Sequence, residues 1–518
     1  MLYVCVSFFF PIFASTHCFY LLFIMLRKIR ITLAWLFFIG ITLLFLDFTG
    51  TIHHWLSWMA KIQFLPAVLA LNVIVIVGLL LLTLIFGRIY CSVICPLGIM
   101  QDVIARLNRK KNKYSYSAAK SWLRYVMLVV MIASILAGIA SIVAILAPYS
   151  SYGRIATFIL QPLWQLGNNL LASCAERIDS YAFYTTDVWM KSLTTFLIAL
   201  ATLLIVGFLA YRHGRTYCNT ICPVGTFLSF FARFSLFKVR FVEDKCKNCS
   251  LCSKNCKAAC IDFKTHSVDY SRCVVCGNCI DKCKFGALAY TMKKGTKVSE
   301  ASTEKEATAI DDSKRSFLLA TAVLTTAAMA QEKKKVDGGL AVIEEKLAPE
   351  RQTPITPPGS LSAKNMQQHC TACQLCVSEC PNGVLRPSGE LIKLMQPMMS
   401  YERGYCRPEC NRCSEVCPTG AINPISVEDK SSVQVGHAVF IQKNCVAVTD
   451  EVECGNCARH CPVGAIEMVQ LDEDDEESPF VPAVNESRCI GCGACEHLCP
   501  ARPYPAIFVE GHEVHKTV

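Results

Sequence analysis

The stretch GRIYCSVICPLG, Gly87 to Gly98, recurs as GRTYCNTICPVG, Gly214 to Gly225. Each copy closes an apolar run and carries a Cys-x3-Cys-Pro motif. Proline lacks an N–H and restricts the residue before it, so each copy predicts a helix break at its second cysteine. The repeat reads as a duplicated helical hairpin. If the hairpins pack about a pseudo-twofold axis, Cys91, Cys95, Cys218 and Cys222 converge. Four such thiols suit iron or another thiophilic metal, or a redox dithiol. The alternative is a pair of tight turns with cysteines as small buried hydrophobes, which does not account for both thiols being duplicated at one spacing.

The chain has 518 residues and is 53% hydrophobic, too long for one compact domain and too apolar for an ordinary soluble one. Near-continuous apolar runs at 31–48, 67–86, 122–147 and 193–211 approach the ~20 residues that span a bilayer as a helix. The fold class expected is therefore multidomain, with an α-helical membrane bundle of two duplicated hairpins, four transmembrane helices in all. The uncharged segment 1–24 reads equally as a fifth helix, a signal-like segment or sequence upstream of a start at Met25. Arg88, Arg106, Arg109, Lys110, Lys111, Lys113, Lys120 and Arg124 face the single acid Asp102 between the second and third runs, whereas the loop 49–66 holds only Lys61. By the positive-inside rule the basic loop is cytoplasmic, and so is the segment with Arg212, Arg215, Arg233, Lys238, Arg240 and Lys245. Membrane orientation thus accounts for the net charge of +10, and nucleic acid is excluded as a partner.

The cysteines carry the chemistry. Cys246, Cys249, Cys252 and Cys256, then Cys273, Cys276, Cys279 and Cys283, follow the C-x2-C-x2-C-x3-C rule of two-cluster ferredoxins, in which three close thiolates hold one [4Fe-4S] cluster and the fourth reaches the other. Lys257 and Lys284 stand where proline usually follows the fourth cysteine. Four more quartets lie near the C-terminus. Cys370, Cys373, Cys376, Cys380 and Cys489, Cys492, Cys495, Cys499 are regular. Cys406, Cys410, Cys413, Cys417 open with three intervening residues, and Cys445, Cys454, Cys457, Cys461 with eight. Regular outer and irregular inner quartets suggest nested partnering, first with fourth and second with third, with sequential pairing the alternative. A short turn and strand recurs after the closing cysteine, as in PTGAIN, PVGAIE and KFGALA. These are α+β ferredoxin-like units whose small core is replaced by clusters; zinc sites use a pair-plus-pair pattern instead. Six quartets and the two opening motifs leave Cys5, Cys18, Cys174 and Cys260, the last expected as a packed spare thiol.

The polar segment 292–312 reads as a linker. In 313–331, Ser313, Lys314, Arg315, Ser316, Phe317 and Leu318 precede a short apolar tract that ends in Ala328 and Ala330, a small-residue cleavage pattern. The segment resembles a twin-arginine export signal with Lys314 in place of the first arginine, or else forms a short tethering helix. The expected division is a segment 1–24, a membrane domain 25–240, a two-cluster domain 241–291, a linker 292–312, the signal or helix 313–331, a linker 332–364 and a four-cluster domain 365–518.

On these motifs the first 290 residues resemble the NapH-type membrane ferredoxins, and the residues from Ser313 onward resemble the NapG-type exported ferredoxins, apparently fused in one chain. The resemblance implies a multi-pass protein of the bacterial inner membrane. Six [4Fe-4S] clusters would relay electrons between the quinone pool and a redox partner, with the first ferredoxin domain cytoplasmic and the second periplasmic if exported. The alternative is an accessory protein for maturation, activation or redox sensing of another metalloenzyme. No haem, dinucleotide or nucleophile-elbow motif is present, so an electron-transfer component is expected rather than a self-contained catalyst. Asp47, His53 and His54, at the outer end of the first run, suit a quinol pocket that takes up protons, but Trp55 and Trp58 beside them also fit an interfacial aromatic belt. No quartet lies within the ~30 Å apolar layer. A relay across it therefore needs a quinone, a centre at the paired motifs, or both ferredoxin domains on one side.

Overall fold

The computed structural model describes residues 16–292 and 346–517, apart from residues 48, 109–113, 181, 243–244, 473 and 475–476. Residues 1–15 and 293–345, which include most of the N-terminal segment, the charged linker and the export-like signal, lie outside the described residues.

Two of the four apolar runs form continuous helices long and apolar enough to cross a membrane, Arg27–Leu46 within the helix Thr16–Leu46, and Leu193–His213. The other two are broken. The run at 67–86 divides into Phe64–Leu69 and Val73–Phe86, with Leu71 in the left-handed region and Asn72 capping the second helix through the Val75 N–H. The run at 122–147 divides at Gly138, whose φ of +69° ends the helix Ser121–Leu136. Its second piece, Ala140–Leu146, bends by 79° into the helical stretch Pro148–Glu176. The first two turns of that stretch, Pro148–Ile155, are buried at every residue. Among the described residues, two helices are long and apolar enough to cross a membrane, or three if the bent pair forms one span, with the broken run at 64–86 packed beside them.

The helices turn the usual polarity of a protein inside out. Ile74 and Leu136 are 85% and 84% exposed on the outer faces, whereas Arg88, Arg124, Arg154 and Arg215 are fully buried within. Each arginine makes buried hydrogen bonds but leaves one nitrogen unpartnered: Arg154, for example, donates to the Ala144 carbonyl at 2.6 Å and to Ser151 at 3.2 Å, while its Nε has no partner.

The cysteine-rich units have little regular structure, and their strands pair in two-stranded antiparallel sheets. In the first unit Phe237–Phe241 pairs with Leu288–Met292, so the unit begins before the expected residue 241. In the C-terminal unit the longest pair is Val433–Phe440 with Ile507–Thr517. Lys346 donates to the carbonyls of Glu496, His497 and Cys499, and Arg351 pairs with Glu496, so residues from 346 onward pack within this unit instead of linking to it.

The two units dock at opposite ends of the same helices. At one end Arg27 pairs with Asp281 at 2.7 Å, and the Arg215 N–H donates to the Lys257 carbonyl at 2.8 Å. At the other, His53 lies 3.1 Å from Glu415, and Lys191 donates to the Val377 carbonyl at 3.1 Å. At 1.5 Å per residue the intervening helices are each about 30 Å long.

The C-terminal unit approaches the helices so closely that Gly153 has no room for a side chain: a Cβ would lie 2.2 Å from the Cys373 carbonyl oxygen and 2.8 Å from the Phe45 ring. Gly153→Ala is expected to destabilise this contact by about 1–3 kcal/mol and to speed release of the C-terminal unit in limited proteolysis. Gly167→Ala, where a Cβ meets open space, should leave the cleavage rate unchanged.

Candidate functional site

In the first unit Cys246, Cys249 and Cys252 line one cavity together with Cys283, and Cys273, Cys276 and Cys279 line a second with Cys256. Each fourth cysteine crosses to the neighbouring triple. The C-terminal unit repeats the exchange. Cys370, Cys373 and Cys376 meet Cys417, and Cys406, Cys410 and Cys413 meet Cys380. Cys489, Cys492 and Cys495 meet Cys461, and Cys454 and Cys499 are electrostatic neighbours of both Cys445 and Cys457. Partnering is therefore sequential, first quartet with second and third with fourth, and the nested arrangement is corrected. The physical reason is local packing: the helix Leu375–Glu379 lies against Arg412–Val416, and Asn456–Arg459 against Ala494–Leu498.

The spacing folds this way because the chain wraps around each cavity. Residues on both sides of the middle cysteine of a regular triple take left-handed backbone: Asn248 and Ser250, Val275 and Gly277, Ala372 and Gln374, Gly491 and Gly493. Such turns direct N–H groups inward, as where the Ala372 N–H donates to Cys370 Sγ at 3.3 Å. The recurrent turn and strand after the closing cysteine has the same purpose. The N–H groups of Ala287, Ala465 and Ala506 donate to the sulfurs of Cys283, Cys461 and Cys499 at 3.2–3.3 Å. In the irregular second quartet, Lys430 fills the wider loop by donating to the carbonyls of Arg407 and Cys410. Four converging sulfurs with N–H donors around them form the donor set of a [4Fe-4S] cluster. Burial pushes the Cys252 thiol up to about 11 and the Cys492 thiol up to about 12, so taking up metal as thiolates releases protons. Cys260, expected as a packed spare thiol, is buried and stands in the wall of the second cavity, 3.5 Å from Cys256 Sγ.

The paired Cys-x3-Cys-Pro motifs come together at the end of the helices nearest the first unit. Cys91, Cys95, Cys218 and Cys222 are all buried, and the other three thiols are all electrostatic neighbours of Cys222. Each motif residue has a reason. Gly87 and Gly214 close helices with φ of +76° and +67°. Cys95 and Cys222 sit at helix N-caps, with Pro96 and Pro223 at the first helical position. Arg88 donates to the Cys218 carbonyl at 3.2 Å, and Arg215 to that of Cys91, so each arginine bolts the opposite copy. Gly98 and Gly225 leave room for this, since a Cβ would meet the Cys91 or Cys218 carbonyl oxygen at 2.4 or 2.6 Å. Arg88 also reaches the Ser271 carbonyl of the first unit at 2.9 Å. Asp102, the lone acid of the basic loop, pairs with Arg215 at 2.8 Å and with Lys257 at 3.3 Å. The lysine that stands in place of proline is thus a counter-ion.

At the opposite end the histidines part company. His54 and Trp55 face outward, whereas His53 turns inward to the C-terminal unit. There it meets Glu415 and the fully buried Glu379, whose carboxyl is pushed up to about 8 by burial, with Asp47 adding to the rise and Arg412 opposing it. The two glutamates lie within cysteine quartets, Glu379 next to Cys380 and Glu415 between Cys413 and Cys417. Nothing local in the sequence signals that they meet Asp47 and His53.

Comparison with known proteins agrees with the cysteine chemistry. A family model described as a 4Fe-4S binding domain matches residues 68–114 and 193–241, which contain the paired motifs. Another of the same description matches residues 266–289, and a 4Fe-4S dicluster domain matches 452–502. The chain is 31% identical over 166 residues to the methylamine utilization ferredoxin-type protein MauM of Methylobacillus flagellatus, covering 31% of this chain and 70% of that one. It is 29% identical over 187 residues to the ferredoxin-type protein NapG of Escherichia coli, covering 33% and 79%. It is 37% identical over 116 residues to an uncharacterized protein of Methanocaldococcus jannaschii, covering 22% of this chain and 45%, less than half, of that relative. No solved structure matches.

Sequential partnering has a spectroscopic consequence. Cys380→Ser and Cys406→Ser should perturb one and the same paramagnetic signal of the dithionite-reduced protein, and Cys370→Ser and Cys417→Ser a second. Each variant should lose at most about four iron atoms. Grouping of Cys370→Ser with Cys499→Ser would instead mean nested clusters.

Proposed function

The chain belongs to the ferredoxin-type 4Fe-4S electron-transfer proteins, and on that premise we propose that it is a multi-pass inner-membrane relay carrying electrons between the quinone pool and a redox partner. The observation that carries this reading is the docking of the two cysteine-rich units at opposite ends of two apolar helices, each about as long as the hydrocarbon layer is thick. The exposed apolar side chains of the broken helices then face lipid as well. Arg88, Arg124 and Arg215 cluster at the end that holds the first unit, which supports reading that end as cytoplasmic and the C-terminal unit as external.

The six quartets named above hold six [4Fe-4S] clusters, which supply one-electron transfer. The protein's own part is to position them and to bridge the gap between the faces. Cys91, Cys95, Cys218 and Cys222 hold a further thiolate-bound centre between the two units. On its inner side Arg88 touches the Cys218 carbonyl, the Ser271 carbonyl and Cys91 Sγ, and it is an electrostatic neighbour of Cys273. On its outer side Tyr217 neighbours Cys218 and Cys222, and Arg154 neighbours both Tyr217 and Cys373. Arg88 towards Cys273 on one side, and Tyr217 and Arg154 towards Cys373 on the other, thus mark the course of the proposed path through the bundle.

Anaerobic preparations with Cys91→Ser and Cys218→Ser are expected to lose up to about four iron atoms per chain, and reduction of the remaining clusters by a menaquinol analogue should slow at least tenfold. Unchanged iron and unchanged kinetics would remove the central centre from the relay. A reporter fused at Val518 and active only outside the membrane should be active if the C-terminal unit is external.

A further inference from the structure

Where the helix Thr16–Leu46 ends, the relay leaves a group of buried polar side chains unused. Asp47, His53 and Glu379 each offer one ligand atom, and these atoms lie within 4.8 Å of one another. Glu379 is 1% exposed, yet neither carboxylate oxygen has a hydrogen-bond partner. A buried charge in that state is costly unless a proton or a cation meets it. His53 is also buried, and its Nε2 lies 3.1 Å from Glu415 Oε2. Glu415 accepts the ring N–H there, which leaves the lone pair on Nδ1. Nδ1 is unpartnered and faces Glu379 Oε2 at 3.9 Å, so a neutral imidazole and an ionised carboxylate there would set two acceptors across a gap that a cation can fill. Asp47 is held rigidly by the N–H groups of Thr49, Gly50 and Ile52, and its Oδ2, which among the described residues bonds to Ile52 alone, keeps a lone pair for a ligand.

We propose that Asp47, His53 and Glu379 bind a divalent metal ion that fastens the C-terminal unit to the helices. Two carboxylates and a neutral imidazole carry the charge a divalent cation needs, and an O,O,N set without thiolate suits Zn2+, Mn2+ or Fe2+. Glu415 orients the imidazole from behind, as carboxylates commonly do for metal-bound histidine. At metal–ligand distances of about 2.0–2.2 Å the ligands close in by about an ångström. The competing counter-charge is Arg412, whose guanidinium lies against the bare Cα of Gly50 and makes no hydrogen bond to Glu379. The site joins the helical part, through Asp47 and His53, to the C-terminal unit, through Glu379 beside Cys380, so the metal is a tether next to a cluster and not part of it.

The test uses the full chain, isolated anaerobically with its clusters. Zinc, manganese, iron and acid-labile sulfide are measured before and after titration with Zn2+ and, separately, Mn2+. One equivalent of divalent metal beyond the cluster iron is expected, either as isolated or on titration. His53→Gln and Glu379→Gln should abolish it while sulfide content and the paramagnetic signals of the reduced clusters stay at the wild-type level. Glu415→Gln should weaken it by about 10–100-fold. Arg412→Gln should leave it in place. If Glu379→Gln disturbs the neighbouring clusters, His53→Gln, on the helical side and remote in sequence from every cysteine quartet, decides. Absence of stoichiometric uptake of either ion by the wild-type chain, or uptake unchanged in a cluster-replete His53→Gln variant, would overturn the site and leave Arg412 as the counter-charge to Glu379.

Discussion

Everything in this protein depends on thiols being gathered in fours from separate parts of the chain. Each cavity of the ferredoxin-like units is lined by three cysteines of one quartet and closed by one from another, so neither quartet is complete alone. The units have two-stranded sheets and helices of a turn or so, too little apolar core to fold unaided. Cysteine exchange makes the partners fold together, and metal binding becomes folding free energy. The left-handed residues around the middle cysteines fit the same picture. Asn248, Ser250, Val275, Ala372 and Gln374 hold a conformation that costs about 1 kcal/mol or more for a residue with a Cβ, and thiolate–metal bonds can offset it.

A second set of constraints joins those units to the helices. Arg88 and Arg215 are interchangeable in role, each crossing the pseudo-twofold axis to the other copy's first cysteine and each touching the first unit. Burying guanidinium groups is expensive, and Asp102 answers for only one of them. Arg88 bonds to carbonyls and to Asn219 instead, with its Nε left unpartnered. Such a network fixes geometry more than it adds stability, because a shift of either hairpin strands a charge. Such rigidity suits the centre proposed at the paired motifs. The broken helices serve it too, since the bend before Pro148 lets a fully buried segment fill the space between the continuous helices and brings Gly153 against the Cys373 carbonyl.

The sequence by itself determined the local chemistry. Ligand spacing within a triple, the proline that ends each Cys-x3-Cys turn, the glycines at the motif's tight positions and the apolar length of Arg27–Leu46 and Leu193–His213 are all written within a few residues of one another. Short-range geometry obeys fixed periods and fixed backbone preferences, so reading them needs no partner. Tertiary structure decided what lies far apart in the chain. It paired the quartets sequentially, because short helices pack on their nearest neighbours and the irregular loops adjust to the cavity. It broke two apolar runs at Asn72 and Gly138, positions whose composition alone permits a continuous helix. It placed Cys260 in a cavity wall and brought Glu379 and Glu415 to Asp47 and His53 across more than 300 residues. These outcomes depend on which surfaces bury best against each other, and no spacing within a single segment encodes that.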